Sequence, residues 1–206
     1  MLYNLMYYFK IKKEFVLKDY IANYINDSIS AKAKMLSSIE HLSLIEDAVN
    51  IIVNAYKNGN KVLTAGNGGS AGDAQHLAAE FVSKFFAERP ALSAIALTTN
   101  TSILTSVGND YDHKHVFARQ LQAHAKEGDV FIAISTSGNS KNIVKAVEEA
   151  KKLGVTVIGL TGSKPAEMDK YCDCLIKVPS EVTPIIQESH IMIEHAICSL
   201  VEKSLF

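Results

Sequence analysis

Two kinds of hydrophobic spacing divide the chain near residue 60. Before it, apolar residues recur every three or four positions, from about Tyr20 to Leu36 and again from Ile45 to Tyr56, as in helices with one buried face. Asn58-Gly59-Asn60 ends the second helix with turn chemistry. Beyond it come short runs rich in Val, Ile, Leu and Ala at 61–66, 92–98, 129–135, 155–160 and 174–178. Such continuous apolar runs suit strands covered on both faces, as in a parallel sheet. Helical patterns separate them at 71–86, at 100–107 with 114–125, at 140–153 and, more weakly, at 165–171; a last helix runs from about Thr183 to Leu205. The alternation predicts an α/β fold, a three-layer sandwich in which a five-stranded parallel sheet lies between helices, with a helical extension at the N-terminus. Ligands of such sheets bind beyond the carboxyl ends of the strands, where several of these runs end in small or hydroxyl residues.

Composition narrows the function more than the fold. A chain of 206 residues, 48% hydrophobic and 21% charged, suits one globular domain. Its 21 basic and 22 acidic residues leave a net charge of −1, and nothing in that balance suggests a surface for nucleic acid or an anionic membrane, which needs clustered positive charge. Any bound anion must be held locally, by backbone amides and hydroxyls. The opening MLYNLMYYFKIKKEFVL is apolar only until Lys10, Lys12 and Lys13, too short a run to span a membrane. Its charges follow the apolar part, where a signal peptide would have them first. Residues 1–19 therefore read as an extension and 20–206 as a single cytoplasmic domain. Cys172, Cys174 and Cys198 fit no disulfide framework and suit a reducing compartment. Cys172-x-Cys174 reads as structural.

Two loops could hold a phosphate. AGNGGSAGD, 65–73, joins the first strand to a helix; its glycines allow close backbone approach, and Asp73 complements the helix dipole. It matches neither G-x-G-x-x-G nor a Walker loop, and a purely structural Gly-rich turn is the competing reading. STSGNS, 135–140, places Ser135, Thr136, Ser137 and Ser140 at the mouth of another helix. One serine would suffice as a helix cap; four hydroxyls with a glycine point to an oxyanion site. With no Lys or Arg in either loop, binding a phosphomonoester fits better than hydrolysing a nucleotide.

Acid–base and metal candidates follow. His76 and Glu80 are i and i+4 on the helix after the first loop, and so share a face. The last helix carries Gln187, Glu188, His190, Glu194 and His195 within IIQESHIMIEH. At about 100° per residue Gln187 and Glu194 nearly share a stripe, with His195 about 80° round from Gln187; His190 and Glu194 form another i, i+4 pair. Spacing alone leaves open which of these five face a site. Neutral imidazoles with carboxylate and amide oxygens would suit zinc.

GNGGSAGDAQHLAAEF, VGNDY, AISTSGNSKNIVKA, VIGLTG and IIQESHIMIEH together resemble the phosphoheptose isomerases of the sugar isomerase (SIS) superfamily, over roughly residues 20 to 205. The resemblance implies a five-stranded parallel sheet between helices, with N-terminal helices helping to build a homotetramer. It implies conversion of sedoheptulose 7-phosphate to D-glycero-D-manno-heptose 7-phosphate, the first step toward ADP-heptose for lipopolysaccharide core or capsule. The enzymes are cytoplasmic and several carry zinc, expected here as one ion per subunit. By position, His76, Glu80, Gln187 and His195 match the zinc ligands, with Glu80 also the base and His195 the second acid–base group. Asn67, Gly68, Gly69 and Ser70 match the substrate loop, as do Asn109 and Asp110 of VGNDY and Gln187; Ser135, Thr136, Ser137 and Ser140 match the phosphate loop. Lys84 stands where some members have arginine. Other readings remain: a non-catalytic SIS tetramer that binds a replication initiator, though Glu80 and His195 argue against it, or an isomerase of another phosphosugar. A sugar-phosphate sensor fused to a DNA-binding module would need a helix-turn-helix, for which the chain has no room.

Overall fold

The computed structural model describes the backbone of residues 2–206 and the side chains of residues 16–206. Two helices open the chain, α1 (Leu2–Leu36) and α2 (Ile39–Lys57). Strands and helices then alternate: β1 (Val62–Ala65), α3 (Gly69–Val82), β2 (Ala94–Ala96), α4 (Thr101–Asp110), α5 (Val116–His124), β3 (Val130–Ile134), α6 (Lys141–Lys152), β4 (Thr156–Thr161), β5 (Cys174–Lys177) and α7 (Thr183–Leu205). All strand pairs are parallel, in the order β2-β1-β3-β4-β5. The predicted three-layer sandwich is therefore present.

Alternation along the strands builds two cores. Val62, Val130, Ile132, Ile134, Ile158 and Leu160 pack with α2, α3 and α7 on one face. Leu63, Phe131, Ala133 and Val157 point the other way, onto α5 and α6. Since both faces are buried, period-2 alternation is between two apolar sets, and each strand reads as one apolar run. The chain moves from β1 to β2 on one side and then to β3 on the other. The reversal opens a crevice beyond the carboxyl ends of β1 and β3, the switch point where such sheets bind ligands. The Gly-rich and serine loops leave these two strands, which is why they meet.

The helix boundaries differ in instructive places. The boundary drawn at residue 19 falls inside α1, which has no Gly or Pro anywhere in its length to end it earlier. The stretch 165–171 forms only a 3-10 turn at Asp169–Tyr171. Helix α2 begins six residues earlier than its apolar pattern, at a cap where Ser38 Oγ accepts from His41 N at 3.2 Å. Helix α3 stops at Val82, short of 86, because Phe85, Phe86 and Ala87 donate their N–H groups to Glu202 of α7 instead of to the helix.

Candidate active site

A cavity of about 290 Å³ occupies the switch point, lined by Asn67, Gly68, Gly69, Ser70, Ser135, Thr136, Ser140 and Gln187, together with Ile134 and Thr183. Two helix N-termini converge on it, α3 through Gly68–Ser70 and α6 through Ser140. Neither receives a capping bond from its N-cap side chain: Gly68 has none to give, and Ser140 Oγ instead accepts from Ser135 Oγ at 3.2 Å. The ordinary cap reading of Ser140 therefore fails, and the helix N-terminus is left for another acceptor. Gly68 sits at φ +56°, a backbone conformation that favours glycine. Gly69 is under Gln187: a Cβ there would lie 2.5 Å from the Gln187 amide nitrogen. Gln187 Nε2 donates to Ser70 Oγ at 3.3 Å, so α7 closes the loop from above.

Ser137 lines an adjoining cavity of about 230 Å³ with Thr136, Asn139, Ser163 and Lys164. Asn139 braces the serine loop: its N–H donates to Ser137 Oγ at 3.2 Å, its amide to Ser137 O at 3.0 Å, and its Oδ1 accepts from Glu167 N at 2.8 Å. Lys164, paired with Glu181 at 3.0 Å, brings a cation to this end that neither loop sequence contains. Asn67 is tied across the crevice by two reciprocal bonds to Asn142, at 2.9 and 2.8 Å, and Asn142 Nδ2 lies 3.2 Å from His113 Nε2. Asn109 and Asp110 do not line either cavity; they sit exposed at the end of α4, bonded to each other at 2.8 Å. Asn142, His113 and Lys164 escaped the sequence reading because nothing in their own spacing marks them.

The second cluster lies further along α3 and on α7. His76 Nε2 is 3.2 Å from Glu80 Oε1 and 3.0 Å from His195 Nε2, and the three donor atoms lie within 4.8 Å of one another. Two imidazole nitrogens facing one another need a proton or an ion between them. Two imidazoles and a carboxylate converging on one point are a donor set that fits zinc. Gln187, turned toward Ser70, is one helical stretch away from this trio and faces the cavity.

The other acidic and imidazole groups of α7 go elsewhere. His190 is fully buried with Nε2 3.2 Å from Thr161 O, and burial pulls it down to about 4, so it is neutral. Glu194 is buried, and among the described residues neither of its oxygens has a hydrogen-bond partner. Burial, with the nearby Asp73 carboxyl, pushes it well above the usual carboxylate range. Burial likewise raises Asp73 to about 6, against an opposing pull from His76. Both carboxyls stand on the inner side of the α3–α7 seam. Of the two imidazoles on α7, the tertiary packing turns His195 toward His76 and sends His190 into the core. The cysteines are free thiols, and burial raises Cys172 to about 12 and Cys174 to about 11, which makes them unreactive.

The SIS domain model matches residues 24–162. The phosphoheptose isomerase of Aneurinibacillus thermoaerophilus is 56% identical over 92% of this chain and 96% of its own. That of Clostridium acetobutylicum is 55% identical over 92% and 97%. Among solved structures, a phosphoheptose isomerase from Neisseria gonorrhoeae superposes with a TM-score of 0.85 at 39% identity, over 91% of this chain and 99% of that one. Identity of this order across nearly the whole length, together with the same fold, means that the chain belongs to the SIS domain family and, within it, to the phosphoheptose isomerases.

Proposed function

We propose that the protein converts sedoheptulose 7-phosphate to D-glycero-D-manno-heptose 7-phosphate in the cytoplasm, as a homotetramer with one zinc ion per subunit, at the start of heptose supply for lipopolysaccharide core or capsule. The observation that carries the reaction is the arrangement along α3. Gly69 and Ser70 line the cavity at the switch point, and His76 lies six residues on from Ser70, about 9 Å along the axis. An extended seven-carbon sugar phosphate spans about 10 Å at roughly 1.2 Å per bond. One end of the substrate can thus rest on the two helix N-termini while the other reaches the His–Glu–His cluster.

The phosphate is held by Ser135, Thr136, Ser137 and Ser140 and by the α6 N-terminus, with Asn67 and the Gly68–Ser70 backbone along the chain of hydroxyls. Glu80 takes the proton from C1 and returns it at C2, passing through an enediol. His195 moves the proton between the two oxygens, and its contact with His76 holds its ring in place. Zinc would be held by His76, Glu80 and His195, whose donor atoms converge while Gln187 turns to Ser70, and when bound it would supply a Lewis acid for the carbonyl oxygen.

The tetramer draws its support from an uncovered apolar stripe. Leu17, Ile21, Ile25 and Ile29 recur every four residues on α1, each more than half exposed. Beside it, Ile29, Leu36, Leu42, Ile45 and Met192 line an apolar groove of about 540 Å³ between α1, α2 and α7. Among the described residues no helix is long and apolar enough to cross a membrane.

The test is direct. Incubated with sedoheptulose 7-phosphate, the purified protein should form an aldoheptose 7-phosphate, slowed by prolonged chelation and restored by zinc. No turnover of the heptulose, with turnover of a shorter ketose phosphate, would reassign the substrate. Full activity in protein shown to be metal-free would keep the isomerase and discard the zinc.

A further inference from the structure

Glu80 and His195 stand on different helices, so their separation depends on how α3 is joined to α7. We propose that Arg89 and Glu202 are positioning residues for the isomerisation: a buried ion pair that sets Glu80 and His76 against His195. The proposal rests on Glu80 and His195 as the reacting groups.

Both side chains are buried, at 1% and 5% exposure, with four of the five Arg89 N–H donors engaged and Glu202 accepting four hydrogen bonds. Arg89 Nε donates to Glu202 Oε2 at 2.9 Å. Its Nη2 donates to the carbonyl of Glu80 at 2.8 Å, and its Nη1 to the carbonyls of Phe81 at 2.9 Å and Pro90 at 3.0 Å. Glu80 and Phe81 are in the last turn of α3, whose carbonyls have no partner within the helix; a cation there also complements the helix dipole. The residue whose backbone Arg89 grips is the base itself.

Glu202 completes the join from the other helix. Its carboxylate accepts from the N–H groups of Phe85, Phe86 and Ala87 at 2.9, 2.8 and 2.9 Å. It lies seven residues after His195, two turns along nearly the same face of α7. The loop it organises then returns to the site, because the Phe85 ring packs 5.8 Å from that of His195. One ion pair therefore holds the backbone of Glu80, the wall behind His195, and α7 itself. A side chain serving only to end α3 would need none of the contacts to α7. A pair serving only to glue two helices would need no grip on the Glu80 carbonyl.

Arg89→Lys keeps the charge, but one ammonium cannot meet Glu202 and the Glu80 and Phe81 carbonyls together. Glu202→Gln keeps the shape but turns an acceptor into a donor facing backbone N–H groups. Both are compared, zinc-loaded, with wild type and with Val157→Ala, a buried position on the opposite face of the sheet that reports lost stability alone. In the clamp variants kcat should fall about 10–100-fold, with zinc affinity, read by competition with a chromogenic chelator, weakened by a similar factor. KM for sedoheptulose 7-phosphate should stay within about twofold, because the phosphate loops are untouched. Val157→Ala, at an equal or larger loss of Tm, should keep both kcat and zinc affinity. Should Arg89→Lys fail to fold, Glu202→Asp, shorter by one methylene, makes the same comparison. The proposal is overturned if the clamp variants keep wild-type kcat and zinc affinity, or lose no more than Val157→Ala does. Wild-type turnover in Glu80→Gln would instead remove the assignment of the base, and the clamp's purpose with it.

Discussion

Gly69→Ala is the sharpest way to ask whether Gln187 works through its place over the first loop. The added Cβ would fall 2.5 Å from Gln187 Nε2 and 2.6 Å from Oε1, so the amide must leave. The backbone itself has no objection: Gly69 opens α3 without a positive φ, and alanine has the better helix propensity. Displacement loses the Gln187–Ser70 hydrogen bond, about 1 kcal/mol, and forces the side chain off its rotamer, about 0.5–1.5 kcal/mol. Together that is about 1.5–2.5 kcal/mol; alanine's helix propensity returns about 1 kcal/mol of it to the fold, so Tm should fall slightly, and the same cost carried into the transition state is roughly 10–70-fold in kcat/KM. The assay is kcat/KM on sedoheptulose 7-phosphate in a double-mutant cycle with Gln187→Ala. If the damage runs through Gln187, adding Gly69→Ala to Gln187→Ala should cost less than about 0.5 kcal/mol. An equal loss in both backgrounds would refute the reasoning and place the damage in the loop backbone.

Three further outcomes are expected. Glu80→Gln should lower kcat by roughly 10²–10⁴-fold while leaving sugar-phosphate binding, measured by calorimetry, close to wild type. Ser137→Ala with Ser140→Ala should raise KM more than it lowers kcat, since each hydrogen bond to a charged group is worth about 1.5–3 kcal/mol; an unchanged KM would remove these hydroxyls from phosphate binding. Burial alone would raise the Glu202 carboxyl, but the N–H groups of Phe85, Ala87 and Phe86 and the Arg89 guanidinium outweigh it and hold it at about 2, below its ordinary 4.5. Its stabilisation is thus complete above about pH 4.5 and is lost as pH falls toward 2, so acid unfolding curves of wild type and Glu202→Gln should converge through that window. A gap constant with pH would mean that the charge contributes nothing.

The apolar runs at 61–66, 92–98, 129–135, 155–160 and 174–178 determined the strands, because a strand buried on both faces must be apolar at successive positions whatever its neighbours are. Glycine and hydroxyl clusters at 65–73 and 135–140 likewise marked both loops, since unusual backbone geometry and helix starts are demands met within a few residues. That much is local, and the linear order of residues carries it. Helix limits were less readable: α3 ends at Val82 only because Glu202, 120 residues later, takes the N–H groups that another turn would have used. The α7 site was ambiguous for the same reason. Gln187, His190, Glu194 and His195 fall at several angles round one helix, and periodicity treats each as a polar interruption of an apolar surface. Packing against α3 and β4 chose among them, turning His195 to His76 and burying His190 against the Thr161 carbonyl. Local spacing says which residues can share a face; which face meets which partner is decided by the packing of segments far apart in the chain, and only the tertiary structure holds that.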